Sequence, residues 1–287
     1  MFVLLLAFFL TVQSLAPAAA QSSADKVVAV KASSGVSHPL PFKTGETLVY
    51  EVGFSKLIFS GVIGELKLWV PKQEIREDGT PGNGLVELRG EAVSKGFFSK
   101  LFGLKVQDRF ISLVNPADFG SHSFTKMIEE GKVRREQKSV LNRTTGRVTY
   151  TDRDLIDKSA KPTVKEAQSP TWIQDLLSAI YYMRTQKLME GDVIPIPISD
   201  GGSVYNIEVV VLGKREEIKV GSGKFKTVLL DAKIFDGRYI RRSGEMKLWV
   251  SDDERHIPVK ARIKTSGATI TISLKKLQEE YAEVPQK

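Results

Sequence analysis

The chain has 287 residues and no cysteine, and its 42 Lys and Arg against 34 Asp and Glu leave a net charge of +8. The lack of cysteine excludes disulfides, thiolate zinc sites, thiol nucleophiles and a lipid anchor on a cysteine. A pI near 9.4 with 41% hydrophobic residues describes a basic chain that can build a core without cross-links.

Met1 to Val12 is almost wholly apolar. As a helix it would reach about 18 Å, short of a bilayer core of roughly 30 Å. Pro17 and Ala18-Ala19-Ala20 follow, and the small residues at 18 and 20 predict a secretory signal over 1–20, cleaved after Ala20. No Lys or Arg precedes the apolar run. The expected location is therefore periplasmic or secreted. In that setting the polyanions available to a basic chain are lipid head groups, lipopolysaccharide phosphates or acidic polysaccharide, and no nucleic-acid partner is expected. No later segment is long and apolar enough to span a membrane, so no transmembrane segment is expected after cleavage.

Residues 21–41 read as a flexible lead-in, 42–277 as a single β-rich domain and 278–287 as a C-terminal tail. Within the domain, Leu48, Tyr50, Val52 and Phe54 alternate with polar residues. Leu66, Leu68 and Val70 do the same, as do Tyr205, Ile207, Val209 and Val211. A period of two marks half-buried strands. Glycine turns separate about a dozen of them. The pattern predicts a mainly β protein, an antiparallel meander forming a barrel or a two-sheet clam. Gly64 to Val70 and Gly244 to Val250 agree at six of seven positions. We read this as two strands with the same inward and outward demands.

Ser169-Pro170-Thr171 opens a different pattern. Trp172, Ile173, Leu176, Leu177, Ile180, Tyr181, Met183 and Leu188 share one half of a helical wheel, with Gly191 beyond. This predicts an amphipathic helix of about five turns, packed against the sheet. Arg184 lies in the apolar half with Lys187 on the same side. A charge there calls for a buried carboxylate, an outward-reaching head, or an anionic ligand in a cavity. Asp175 lies opposite Arg184 and about 13.5 Å along the axis, so it is assigned to the helix N-terminus.

Ser94 to Lys105 interleaves Phe97, Phe98 and Phe102 with lysines, a pattern for a lid or membrane-dipping loop, or for a hairpin completing the core. Asp152 with Asp154, and Asp252 with Asp253, are candidate carboxylate pairs, though such residues at strand ends usually serve turns. His38, His122 and His256 have no metal-ligand spacing. No metal, cofactor or catalytic residue is expected. Gly221-Ser222-Gly223-Lys224 lacks the spacing of a phosphate loop and reads as a turn.

Four fragments share an order. They are Phe42-x-x-Gly45-Glu46-x-Leu48-x-Tyr50; Gln174-Asp175-x-x-Ser178-x-x-Tyr181-x-x-Arg184; Gly223-x-Phe225-x-Thr227; and Leu248-Trp249-x-Ser251-x-Asp253 with Pro258-Val259. Together they resemble the DUF3108 family of exported bacterial proteins of unknown function, over roughly Phe42 to Leu274. The resemblance implies a single exported β-rich domain and that Asp175, Ser178, Tyr181, Arg184, Trp249, Asp253 and Pro258 matter to it. By architecture alone the chain is also similar to periplasmic lipoprotein carriers. The leading expectation is a hydrophobic or amphipathic, anionic ligand held between sheet and helix by Trp172, Tyr181, Arg184, Lys187, Trp249, Phe97 and Phe98. The alternatives are an envelope interaction protein contacting a polyanion or partner protein, and a glycan hydrolase.

Overall fold

The computed structural model describes residues 39–72, 84–96, 103, 105–237, 239–240 and 243–279. The expected signal, most of the lead-in, Phe97, Phe98 and the end of the tail lie outside the described residues.

Among the described residues, fourteen strands form one antiparallel sheet in which sequence neighbours pair except β8 and β9, and β1 (Thr47–Lys56) joins β14 (Ala268–Gln278). With β6 at Val133–Asn142, β7 at Arg147–Asp154, β10 at Ser203–Val220 and β11 at Gly223–Ala232, the order is β8-β7-β6-β5-β4-β3-β2-β1-β14-β13-β12-β11-β10-β9. The alternating residues behave as expected: Leu48, Tyr50, Val52, Leu66, Leu68, Val70, Ile207, Val209 and Val211 are buried. They meet in one core that runs from both halves of the sheet. The matched heptapeptides lie on β2 (Phe59–Trp69) and β12 (Gly244–Ser251). Leu66 and Leu68 face the same interior cleft as Met246 and Leu248, which accounts for the likeness.

The sheet curls without closing, and hydrogen bonding runs through it as one sheet, not two. Its edge strands, β8 (Thr163–Gln168) and β9 (Val193–Asp200), are not paired with each other. Lys165 on β8 instead donates to the carbonyl of Gly201, just past β9, at 3.3 Å. Farther along, residues 171–177 strap the gap. Ser121, at the start of β5 (Ser121–Glu130), donates its N–H to Ile173 at 2.7 Å. Gln174 donates to Pro197 at 2.8 Å and accepts from Ser199 at 2.8 Å, forming a parallel bridge to β9. A side chain at Gly120 would collide with the backbone of Thr171 and Trp172, so glycine lets the strap cross there.

This strap corrects the expected five-turn helix. The helix, α1, runs only Ser178–Arg184. Gln174 has given its backbone N–H and C=O to the edge of β9, so neither is free for helix bonds. At the other end, Thr185 Oγ1 and the Thr185 N–H both bond to the carbonyl of Tyr182 and close the last turn. Gly191 is not the helix stop. It takes φ +85° in the turn before β9. At the end of the lead-in, Leu40 packs against the core and the carbonyl of Pro41 is engaged by Arg184.

Candidate functional site

Asp175 fixes the start of α1. Its Oδ1 accepts the N–H groups of Leu177 and Ser178, each at 2.8 Å. The Ser178 hydroxyl accepts the Asp175 N–H at 2.8 Å, so the two residues cap each other as in a capping box. Asp175 Oδ2 accepts the hydroxyls of Ser112, on β4 (Gln107–Val114), at 2.6 Å and Ser121 at 2.7 Å. One carboxylate therefore starts the helix and pins it to two strands. Burial pushes the Asp175 pKa up, against the pull of these donors.

Arg184 fixes the other end. Its guanidinium is fully buried and grips Glu46 with two prongs, Nη1 to Oε1 at 2.6 Å and Nη2 to Oε2 at 2.9 Å. Nε donates to the carbonyl of Arg255 at 3.0 Å and Nη2 to that of Pro41 at 3.2 Å. The rings of Phe42 and Tyr181 lie 5.3 and 5.5 Å from the guanidinium carbon. Phe42 and Tyr181 meet edge to face at 4.9 Å. Burial would lower the Arg184 pKa, and Glu46 more than offsets it, so the charge is kept. Arg184 is thus a core ion pair.

Three of the four fragments converge on this point. Phe42 and Glu46 come from the first. In the last, Asp253 accepts the Ser251 hydroxyl at 2.6 Å and binds the Arg255 side chain, shaping the turn between β12 and β13 (Pro258–Thr265). That turn offers the Arg255 carbonyl to Arg184. It also offers His256, whose Nδ1 lies 3.0 Å from the Arg184 carbonyl and therefore carries the proton. Tyr50 donates to the carbonyl of Pro258 at 2.9 Å. The remaining fragment lies apart: Gly223 and Thr227 belong to the β10–β11 hairpin, where Thr227 Oγ1 donates to the Glu216 carbonyl.

The expected ligand contacts divide. Arg184 and Lys187, the latter exposed, border a surface pocket of about 620 Å³ with Lys43, Glu46, Glu254 and Arg255. A second, wholly apolar cleft of about 130 Å³ lies between α1 and the inner face of the sheet. Leu176, Ala179, Ile180 and Met183 line it from the helix side, and Pro258 is on its wall. Trp172 lies tilted at 34° against Tyr182, with ring centres 6.3 Å apart, outside the cleft. Trp249 points to the opposite face of β12 from Leu248 and Val250, with Lys260 and Arg262 over its ring and its Nε1 donating to Glu216 at 2.6 Å.

A second inward charge escaped the sequence reading. Lys126 sits on the buried face of β5 with Phe124 and Ile128. It crosses to Asp200 at the end of β9, 2.8 Å away, and Tyr239 also donates to Asp200. Burial would raise the Asp200 pKa, and Lys126 more than offsets it. The signal was present: a lysine on an otherwise apolar alternating face.

The candidate carboxylate pairs are engaged in the sheet. Asp152 binds Arg135 and Gln137, Asp154 caps the turn at Ile156 and Asp157, and Asp252 pairs with Arg215. Among the described residues, no three acidic or histidine side chains are placed to hold a metal, and no helix is long and apolar enough to cross a membrane.

Among solved structures, the chain is similar to a β-barrel-like protein of the DUF1849 domain of unknown function from Brucella abortus. That match has 10% identity and a TM-score of 0.53, and covers 82% of this chain and 98% of the other. This likeness supports a barrel-like fold. Slighter matches are an exported protein with a YmcC-like fold from Bacteroides fragilis (9% identity, TM-score 0.36, 84% and 98% covered) and a lipoprotein from Parabacteroides distasonis (8%, 0.30, 82% and 96%). No curated protein matches the sequence. The model of DUF3108, described as a protein of unknown function, matches residues 66–275, which takes in three of the four fragments and leaves Phe42 to Tyr50 outside; the chain belongs to the DUF3108 family.

Proposed function

We propose that this protein is an exported, barrel-like binding protein that holds an apolar chain of an amphipathic molecule between α1 and the inner face of the sheet. The observation that carries this reading is the apolar cleft. Its lining exposes no polar surface, and Leu176, Ile180, Leu248 and Tyr239 on its walls are only partly buried. A volume of about 130 Å³ is on the scale of a cavity that binds benzene. It is well below the roughly 300 to 1,000 Å³ of a pocket that encloses a drug-sized ligand. The cleft therefore suits one short apolar segment, with the polar end of the molecule left outside. Arg184 is committed to Glu46 and holds the helix end in place; the charge that favours an anionic head group is the net +8 of the chain.

The test is native mass spectrometry of the protein purified after export, beside an Ala179→Leu variant. Ala179 lines the cleft and meets Asp175 through its backbone N–H, which a larger side chain does not alter, so the variant fills the space while leaving Asp175 and Arg184 in place. A lipid-sized adduct on the wild type that is lost in the variant is the expected result. An adduct retained by the variant would place the ligand elsewhere, and the absence of any adduct after incubation with short-chain anionic lipid would overturn the reading.

A further inference from the structure

Leu57 and Ile58 form the two-residue turn between β1 and β2, and they are the most exposed large hydrophobics among the described residues, at 93% and 91%. Phe59 beside them is half exposed. Leu57 also takes φ +51°. A two-residue hairpin turn favours Asn-Gly, because those residues reach positive φ with little strain. Here the chain carries two large apolar side chains instead, at a local cost in both conformation and solvation.

The strand register shows what surrounds this tip. The β13–β14 hairpin lies next to β1, with Ser55 opposite Thr269, and carries Lys264. On the other side β3 (Val86–Ser94) ends opposite Gly64, at the middle of β2, so the tip stands beyond it, and Lys105 leads into β4. The β5–β6 hairpin, with Lys132, is tied to this end by the Gly131 N–H bonding to Lys105 at 2.7 Å. Lys56, Lys105, Lys132 and Lys264 are all exposed and make no ion pair among the described residues. Lys95, at the same end, is paired with Glu65. An apolar point with exposed lysines around it is the pattern of a surface that rests on anionic lipid: apolar side chains enter the boundary of the acyl region while lysines meet the head groups. Two or three side chains are too few for the roughly 800 Å² per partner of a stable protein interface.

We propose that the β1–β2 tip docks this protein onto an anionic lipid surface, with Leu57 and Ile58 inserted and the lysine rim against the head groups. The inference stands on the tip and the rim and does not depend on the cleft.

The experiment is sedimentation of the exported, processed protein with vesicles of mixed phosphatidylglycerol and phosphatidylcholine, and with phosphatidylcholine alone. Two variants accompany it, Leu57→Asn/Ile58→Gly and Lys56→Gln/Lys264→Gln. The wild type is expected to bind the anionic vesicles and to release them at high salt. The tip variant is expected to bind roughly tenfold or more weakly, with an unchanged or higher melting temperature because its turn is relaxed. The lysine variant is expected to bind more weakly at low salt. A wild type that stays in solution, or a tip variant that binds as the wild type does, would overturn the proposal. So would a wild-type dimer that the tip variant converts to monomer without any vesicle binding, since the tip would then be a contact between copies.

Discussion

Glu46 and Arg184 lie 138 positions apart in the chain, yet they form a two-pronged ion pair buried against Phe42 and Tyr181. Removing one partner leaves the other charged, dry and unpaired, which costs about 3–5 kcal/mol. Glu46→Gln and Arg184→Met are each expected to lose that much in urea denaturation. The double variant should lose clearly less than the sum, because it leaves no orphan charge. Additive losses would mean that the two side chains do not act as a pair.

Asp175 is the other fixed point. Asp175→Ala removes a helix cap, worth about 1 kcal/mol, and leaves the buried hydroxyls of Ser112 and Ser121 to find new acceptors, at about 1–3 kcal/mol. A total near 3 kcal/mol is expected from chemical denaturation. Asp175→Asn keeps one acceptor oxygen for the Leu177 and Ser178 N–H groups and is expected to lose about 1 kcal/mol. An alanine variant as stable as the wild type would remove Asp175 from the clamp.

Much of this could be read from the chain, and the part that could not has a common cause. The strand faces follow from a period of two, because side chains on a strand alternate whatever the partner. Even Trp249 could have been placed outside, since Leu248 and Val250 on either side of it point in. The charge at Arg184 was visible as a defect in an apolar half-wheel, but its partner was not, because nothing local ties position 184 to position 46. The helix failed for the same reason. Trp172 to Leu188 has helical spacing throughout, yet Gln174 spends its backbone bonds on β9, a choice set by where the sheet edge lies. Glu46 is legible only as part of Phe42-x-x-Gly45-Glu46, where no local pattern gives it a role. A buried arginine needs a carboxylate, and that fragment held an acidic residue directly before the first strand.

Filling the cleft also makes a prediction about stability. Ala179→Leu adds apolar volume where about 130 Å³ is open. Cavity filling of this kind commonly adds roughly 0.5–2 kcal/mol, provided that the new side chain fits an allowed rotamer. The ligand-free variant is expected to melt higher than the ligand-free wild type. A lower melting temperature would show that the space is not available to a side chain and would weaken the case for a ligand there.

Glu130 gives the fold a pH dependence whose sign can be stated. Burial pushes its pKa up to about 7 from an ordinary 4.5, and the neighbouring Asp108 carboxylate adds to the shift. Asp108 is raised as well, again chiefly by burial. With the folded value above the unfolded one, the folded state keeps a proton that the unfolded chain has released. Stability contributed by this group is therefore present below pH 4.5, falls as pH rises toward about 7, and stays low above it. Glu130→Gln holds the neutral form at every pH. It is expected to flatten the decline across that window and to stabilise the fold above it by about 1 kcal/mol, a figure kept small because the side chain is only half buried. Melting curves of wild type and variant across the window check this. Parallel curves would mean that Glu130 titrates as an ordinary surface carboxylate, and that the Asp108–Glu130 contact between β4 and β5 places no charge under strain.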